Sequence, residues 1–569
     1  VLEGTDLMAN TPASRRVLSL LVTVAAFAAV LVVLRSNQSV EVSGAARASE
    51  KDAPAPSEPR SWPLFGGSVS RNLVNLVEHD LPTAWSVEPG AEKNVKWSVD
   101  LGSKAYGGPI VAHGKILIGT NNQAPRNKAA VGDKGIVMCF AEADGKFLWQ
   151  AVHDKLPAGR VNDWPWEGIC SSAVVEGDRA YYVSNRCEVI CASLDGYQKG
   201  KNEPTHPAYT SSMDAGVIWR YDMIKELNVF PHNLAVCSPL IVGDTLYVIT
   251  SNGVDEGHIN IPQPQAPSFI ALDKKAGKLL WKDNSPSVRL VEERKKGKAV
   301  VDIKALVNKG LLLMHGQWSN PVYAEPNGKP LIVFPGGDGW VRAFRPGTWE
   351  LVWKFDCNPK NSFYKLGAEG TRSDFVSTPV VWENKLYIGT GQDPEHDKGV
   401  GHLWCIDITK EPTNPEKDIT PANDNFDPKA AVNKDSGLVW HYGGAVPDDS
   451  NYDRNYFFGR TMSTCAVHEG LVYQCEYDGV LHCIDAKTGQ QYWEHSLKAD
   501  CWSSPYWVDG HVYIGNEAGT MFIFEHGKEK KVVAEIEMRG KVRATPVAVN
   551  GVLYVMTENP CKLYAITKK

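Results

Sequence analysis

Eight times along its 569 residues the chain repeats one phrase. Two small residues come first, then a slot usually held by proline, a short apolar run, a tight turn and a second apolar run. The copies begin at Gly107 ("GGPIVAHGKILIGT"), Ser171, Cys237, Ser319, Ser377, Ser463, Ser503 ("SSPYWVDGHVYIGN") and Ala544. Their turns are built from Gly, Asp and Asn, which tolerate the backbone angles a hairpin needs. Their strands alternate and are rich in Val, Ile and Tyr, which suits a pleated, half-buried surface. A repeat of this kind cannot bury both faces of its own small sheet, so neighbours must stack.

A third strand follows each hairpin, as in "VICASLDG" and "LHCIDAKTG", and a fourth usually ends in tryptophan: Trp149, Trp219, Trp281, Trp353, Trp440 and Trp493. Four antiparallel strands in each of eight units predict an all-β, eight-bladed β-propeller. The tryptophans read as apolar plugs between blades. The eighth unit runs out after three strands, at "KLYAIT". Its missing strand is expected at the other end, in "NVKWSVDL" (Asn94 to Leu101), with Trp97 in the docking position. Such closure removes the open sheet edges that invite aggregation. The seventh unit has no tryptophan in "KKVVAEIEM", which predicts a looser seam there.

The remaining organisation follows from composition. Residues 1–16 read as a cytoplasmic leader, and 17–34 ("VLSLLVTVAAFAAVLVVL") as a transmembrane helix or signal segment. Eighteen uncharged residues would span about 27 Å as a helix. Arg15 and Arg16 precede this run and place the chain start inside and the propeller outside. The alternative is a secreted form cleaved at Ala46-Arg47-Ala48. Residues 35–60 are polar and rich in Pro, Ala and Ser, a disordered linker; 61–93 form a lead-in; 94–569 form the propeller. Net charge is −6, with no basic stripe, which argues against nucleic acid as a partner.

Aligning the repeats places Cys139, Cys191, Cys405 and Cys483 in one third-strand slot, where other units carry Ala271, Ala343 and Ala565. That slot asks for a small buried side chain, and a free thiol is one. Cys170 opens the first strand of its unit and Cys187 closes the second, which makes them the one disulfide candidate.

The units "LHCIDAKTGQQYW" (Leu481 to Trp493) and "FIALDKKAGKLLW" (Phe269 to Trp281) resemble the PQQ-like (pyrroloquinoline quinone) repeat. That family of eight-bladed propellers includes quinoprotein dehydrogenases and the outer-membrane assembly protein BamB. The lead-in "WPLFGGSVSRNLVN" (Trp62 to Asn75) is similar to membrane-tethered or secreted members without assigned chemistry. For the dehydrogenase branch alone, the resemblance implies PQQ with calcium as a cofactor. In the dehydrogenases it also implies adjacent cysteines and often a C-x-x-C-H haem segment. This sequence has neither a Cys-Cys dipeptide nor C-x-x-C-H, and no calcium set matches its positions.

Loop lengths indicate which face works. The turns within first hairpins are minimal, whereas the links between blades are long: residues 150–169, 220–236, 282–317, 354–375 and 441–462. Long loops on a rigid scaffold carry binding or catalysis. Two further insertions, 195–217 and 409–438, fall on the opposite face, and the second reads as a flexible flap. Counting back three residues from each proline slot predicts a ring around the mouth: Tyr106, Cys170, Val236, Trp318, Val376, Met462, Trp502 and Arg543. With residues of the long links this yields the ligand-binding candidates Tyr106, Trp166, His232, Trp318, Arg372, Arg460, Asp500, Trp502 and Arg543. Arginines with tryptophans suit an anionic or flat ligand. The loop "DPEHDKGVGH" offers Asp393, Glu395, His396 and Asp397 as metal candidates, at the spacing of no known cage.

No G-x-S-x-G, H-E-x-x-H or P-loop pattern is present. The expectation is therefore a non-catalytic, membrane-tethered propeller in the bacterial periplasm, binding a protein or envelope ligand on the face of the long links. Two alternatives stand beside it: a divergent PQQ-dependent oxidoreductase, and a carbohydrate-binding propeller.

Overall fold

The computed structural model describes residues 60–365, 370–392, 394–422, 433–447 and 453–568. The expected membrane segment at 17–34 lies outside them. No helix among the described residues is long and apolar enough to cross a membrane.

Eight antiparallel sheets follow one another along the chain. Blade 1 comprises Ile110–Ala112, Lys115–Asn121, Lys134–Ala141 and Phe147–Asp154, from the inside outward. The inner strands of blades 2 to 8 are Val174–Glu176, Leu240–Val242, Val322–Ala324, Val380–Trp382, Ala466–His468, Tyr506–Val508 and Val547–Val549. Closure occurs in the expected register. Val95–Asp100 forms the outer strand of blade 8, with Trp97 opposite Ala565.

The small third-strand slot has a direct explanation. Trp149 pairs with Cys139, Trp219 with Cys191, Trp281 with Ala271 and Trp493 with Cys483, beside a bulge in each case. The indole then reaches the next blade. Trp149 Nε1 donates to the Leu194 carbonyl at 2.9 Å, and Trp440 Nε1 to that of Ala486 at 3.0 Å. A Cβ on Gly145 would lie 2.8 Å from Trp97, and one on Gly489 2.8 Å from Trp440. The turn glycine of one blade is thus the seat for the tryptophan of the blade before it.

Blade 7, expected to be loosely seamed, carries a compensating exchange. Ala534 stands in the tryptophan position and faces Ile523 instead of a small residue. Trp85 from the lead-in is buried, with Nε1 3.1 Å from Met538 Sδ at the end of that blade.

The small-polar-proline signature also has a role that the pattern alone did not disclose. Its second residue sits at the inner edge of each blade and reaches the next. Ser172 Oγ donates to the Gly108 carbonyl, and the Ser172 N–H to Ser238 Oγ. The Ser238 N–H donates to Asn320, and Asn320 to Thr378. The Thr378 N–H donates to Thr464, that of Thr464 to Ser504, and that of Ser504 to Thr545. Each bond contributes about 1 kcal/mol, and together they lace blades 1 to 8 in sequence.

The lead-in plugs the channel. Trp62 exchanges backbone bonds with Val111, and the N–H groups of Val175, Tyr323, Val381 and Trp507 donate to Pro63, Val69, Ser70 and Leu73. Asn72 is bonded to Val467, and Asn75 donates to the Ala548 carbonyl. These partners are the middle residues of the inner strands, beyond the small-polar positions in the direction of the hairpin turns, so the plug closes the channel on the short-turn side. Arg71 anchors it from a fully buried position, donating to the carbonyls of Phe65, Ser238, Pro239 and Pro321 at 2.9–3.1 Å.

The two opposite-face insertions are docked rather than loose where they are described. Gln150 of blade 1 pairs with Asp214, and Lys354 of blade 4 with Asp418. Residues 423–432, the middle of the expected flap, lie outside the described residues.

Candidate functional site

Because the lead-in blocks one end, the channel is a blind cavity opening on the face of the long links. Its volume is about 340 Å³. Phe65 from the lead-in lines it together with the polar ring of Ser172, Ser238, Asn320, Thr378, Thr464, Ser504 and Thr545. All eight residues of the predicted ring line it as well: Tyr106, Cys170, Val236, Trp318, Val376, Met462, Trp502 and Arg543. Eightfold repetition puts equivalent positions at equal depth, so counting in sequence counts around the mouth.

Tyr106, Trp502 and Arg543 form one group. The two rings are tilted, 5.4 Å apart, and the guanidinium lies 5.2 Å from each. Arg543 Nη1 donates to the Tyr106 hydroxyl at 2.6 Å. Its charge is already engaged. Nε and Nη2 form a bidentate pair with Glu517 at 2.5 and 2.9 Å, and Glu558 lies 3.4 Å away. Burial raises the Tyr106 phenol, and the neighbouring Glu167 adds to this. Burial likewise raises the Cys170 thiol, reinforced by Glu167, so the one cysteine in the wall is protonated and a poor nucleophile.

The other five candidates are not in this wall. Trp166 is 41 % exposed at the rim, in a left-handed conformation with its N–H on Asp133. Trp164, two residues earlier, lines the cavity instead, with Arg160 4.0 Å over its ring. Arg372 is buried against Asp356 at 2.7 Å. Arg460 donates to Gln392 and to the carbonyls of His396 and Asp397. Asp500 pairs with Lys398 at 2.8 Å. All three expected arginines are therefore committed to internal partners, which removes the basis for a strongly anionic ligand. The Cys170–Cys187 disulfide does not form. Both thiols are free, and Cys187 is turned towards the Thr250 carbonyl at 3.3 Å. The hairpin register explains this: Val174 faces Tyr181, so the strands diverge into a turn before Cys187 is reached.

His232 is fully buried behind the wall, and it has company. Its Nε2 lies 3.1 Å from His315 Nε2 and 3.1 Å from His258 Nε2, and those two are 2.8 Å apart. Among the described residues this is the grouping of potential metal ligands. The acidic loop contributes differently from expectation. Asp393 lies outside the described residues, Glu395 lines the cavity and pairs with Arg160 at 3.7 Å, and Asp397 uses its carbonyl to hold Arg460. The His396 ring sits 5.6 Å from that of His315 and 6.2 Å from that of His258. No spacing signal could have found His258, which joins the others only through the ring of blades.

A PQQ molecule is a tricarboxylate. The one cation among the cavity-lining residues, Arg543, is taken by Glu517 and Glu558, and the cations just behind the wall are taken as well, Lys104 by Glu167 at 3.5 Å and Arg160 by Glu395. The residues present do not fit that group.

Comparison with known proteins agrees with the architecture. The family model described as outer membrane protein assembly factor BamB matches residues 133–421 and 430–567. No curated protein sequence matches the chain. Among solved structures, a europium-containing methanol dehydrogenase is 13 % identical, with a TM-score of 0.51 over 88 % of this chain and 90 % of that one. A quinohemoprotein alcohol dehydrogenase from Pseudomonas putida is 11 % identical, with a TM-score of 0.51 over 89 % and 80 %. BamB from Moraxella catarrhalis is 14 % identical, with a TM-score of 0.49 over 83 % and 99 %. At these identities the likeness is one of fold.

Proposed function

The chain belongs to the PQQ_2 family of BamB-type propellers, and from that premise we propose that it is a binding scaffold held at a membrane by residues 17–34. Its ligand or partner inserts a flat, mainly apolar group into the central cavity from the face of the long links. The blind cavity carries this reading: three tryptophans, Tyr106, Leu234, Val236, Val376 and Met462 surround a pocket whose charges are internally paired. Such a wall favours aromatic or aliphatic groups over carboxylates or phosphates, because the cations beside it are already paired, Arg543 with Glu517, Lys104 with Glu167 and Arg160 with Glu395. The protonated Cys170 and the engaged Arg543 supply neither nucleophile nor anion clamp, which supports binding over catalysis.

Site-specific photocrosslinking in native membranes tests the reading. A benzophenone side chain at Met462 is expected to capture a defined adduct, and one at Gly510, on the short-turn face, none. Trp502→Ala should abolish the adduct while the fold is retained. Adducts formed only at Gly510, or at neither position, would reject the cavity as the binding face. Alkaline extraction tests the tether, since deletion of residues 17–34 should release the protein from the membrane.

A further inference from the structure

The geometry points to a metal site: we propose that His232, His258 and His315 bind one divalent transition-metal ion through their Nε2 atoms. The three nitrogens form a triangle with edges of 2.8, 3.1 and 3.1 Å. Hydrogen bonds alone do not satisfy a triangle. In a neutral imidazole each Nε2 is either a donor or an acceptor. Around three atoms the two kinds cannot alternate, so at least one edge sets two lone pairs or two N–H groups against each other. A cation accepting all three lone pairs removes the conflict.

The distances suit such an ion. Bonds of about 2.0–2.1 Å to imidazole nitrogen reproduce edges of this length at angles of roughly 85–100°. This is a facial set of three ligands, and it leaves positions on the other side of the ion open. Three neutral imidazoles select zinc, copper, nickel or cobalt over calcium or magnesium, which prefer oxygen.

The surroundings are built as ligand supports. His232 Nδ1 lies 2.9 Å from the Val254 carbonyl, an acceptor only, so Nδ1 carries the proton and donates it in a hydrogen bond, leaving Nε2 with its lone pair. His258 is presented by a turn in which Asp255 accepts from the N–H groups of Ile259 and Asn260. The His258 carbonyl accepts from the Tyr364 hydroxyl at 2.7 Å. Val254, Met314 and Tyr364 belong to a satellite core with Leu290, Val307 and Leu312, formed by the inserted helices Val288–Lys295 and Ile303–Asn308 and the loops around them. Each histidine comes from a different connection: His232 from the link between blades 2 and 3, His258 from within blade 3, and His315 from the link between blades 3 and 4. An ion here would tie together three loops, and through Trp318, 4.8 Å from the His315 ring, it would brace the cavity wall.

The test is titration of the EDTA-treated full chain with Zn²⁺ and with Co²⁺. One equivalent is expected to bind with micromolar or tighter affinity, raise the melting temperature by several degrees, and give the visible absorption of nitrogen-ligated cobalt. His258→Gln is the variant of choice because His258 is only half-buried, so its fold can be checked by circular dichroism. It should lose at least a hundredfold in affinity. His315→Gln provides a second reading. Absence of stoichiometric binding by the folded chain, or binding undiminished in folded His258→Gln, overturns the proposal. Neither result depends on whether the cavity captures a partner.

Discussion

The indole Nε1 of Trp318 donates to the backbone carbonyl of His232 across 3.3 Å. One side chain therefore serves two places, as cavity wall in front and as backing for the histidine triangle behind. If Cu²⁺ occupies the triangle, its paramagnetism will quench the fluorescence of this adjacent indole. Trp318→Phe should remove most of that quenching while one equivalent of copper still binds. The lost hydrogen bond should cost about 1 kcal/mol in denaturant unfolding. Quenching that survives in Trp318→Phe would place the copper elsewhere.

Ring closure can be measured by a mutant cycle. Trp97 fills the seat made by Gly145, which has φ +72° and no room for a Cβ. Trp97→Ala should destabilise the fold by about 3 kcal/mol. Gly145→Ala adds both backbone strain and a clash with the indole. In the Trp97→Ala background only the strain remains, so the second substitution should cost less there than in the parent. Equal costs in both backgrounds would show that the seat does not bear on the tryptophan.

The plug depends on Arg71. Burial pulls its guanidinium down to about 10, although it remains charged at neutral pH. Four carbonyls surround it, and Arg71→Met leaves them unsatisfied. The expected loss is about 3 kcal/mol or more, together with new protease cleavage within residues 60–78. Unchanged stability with an uncut lead-in would show that the backbone contacts to the inner strands suffice.

Stability should fall on mild acidification. His402 is buried, and burial pushes it from 6.5 down to about 4. Between those values the unfolded chain binds the proton and the folded chain does not. Its contribution is complete above pH 6.5 and is lost as pH falls towards 4. The shift corresponds to about 3 kcal/mol. His402→Gln should flatten the stability profile across this window in chemical denaturation. His441, 2.9 Å away and also lowered by burial, should retain its own share.

The sequence by itself determined the propeller. Eight copies of one phrase, a tryptophan facing a small slot, and a stray strand at Asn94–Leu101 admit one closed arrangement, because every blade asks its neighbour for the same contact. Repetition also made the mouth legible: Tyr106, Trp318, Trp502 and Arg543 were found by counting alone. What repetition could not convey lies in the parts that do not repeat. The lead-in shows no period, yet it threads past the inner strands and makes the channel blind. Arg372, Arg460 and Arg543 look available in sequence, but their carboxylate and carbonyl partners come from distant loops. The register that separates Cys170 from Cys187, and the turn that puts Trp164 rather than Trp166 in the wall, are matters of local backbone direction. The histidine triangle is the clearest case. His232, His258 and His315 are separated by 26 and 57 residues, and only the fixed rotation from one blade to the next brings three unrelated loops to a single point.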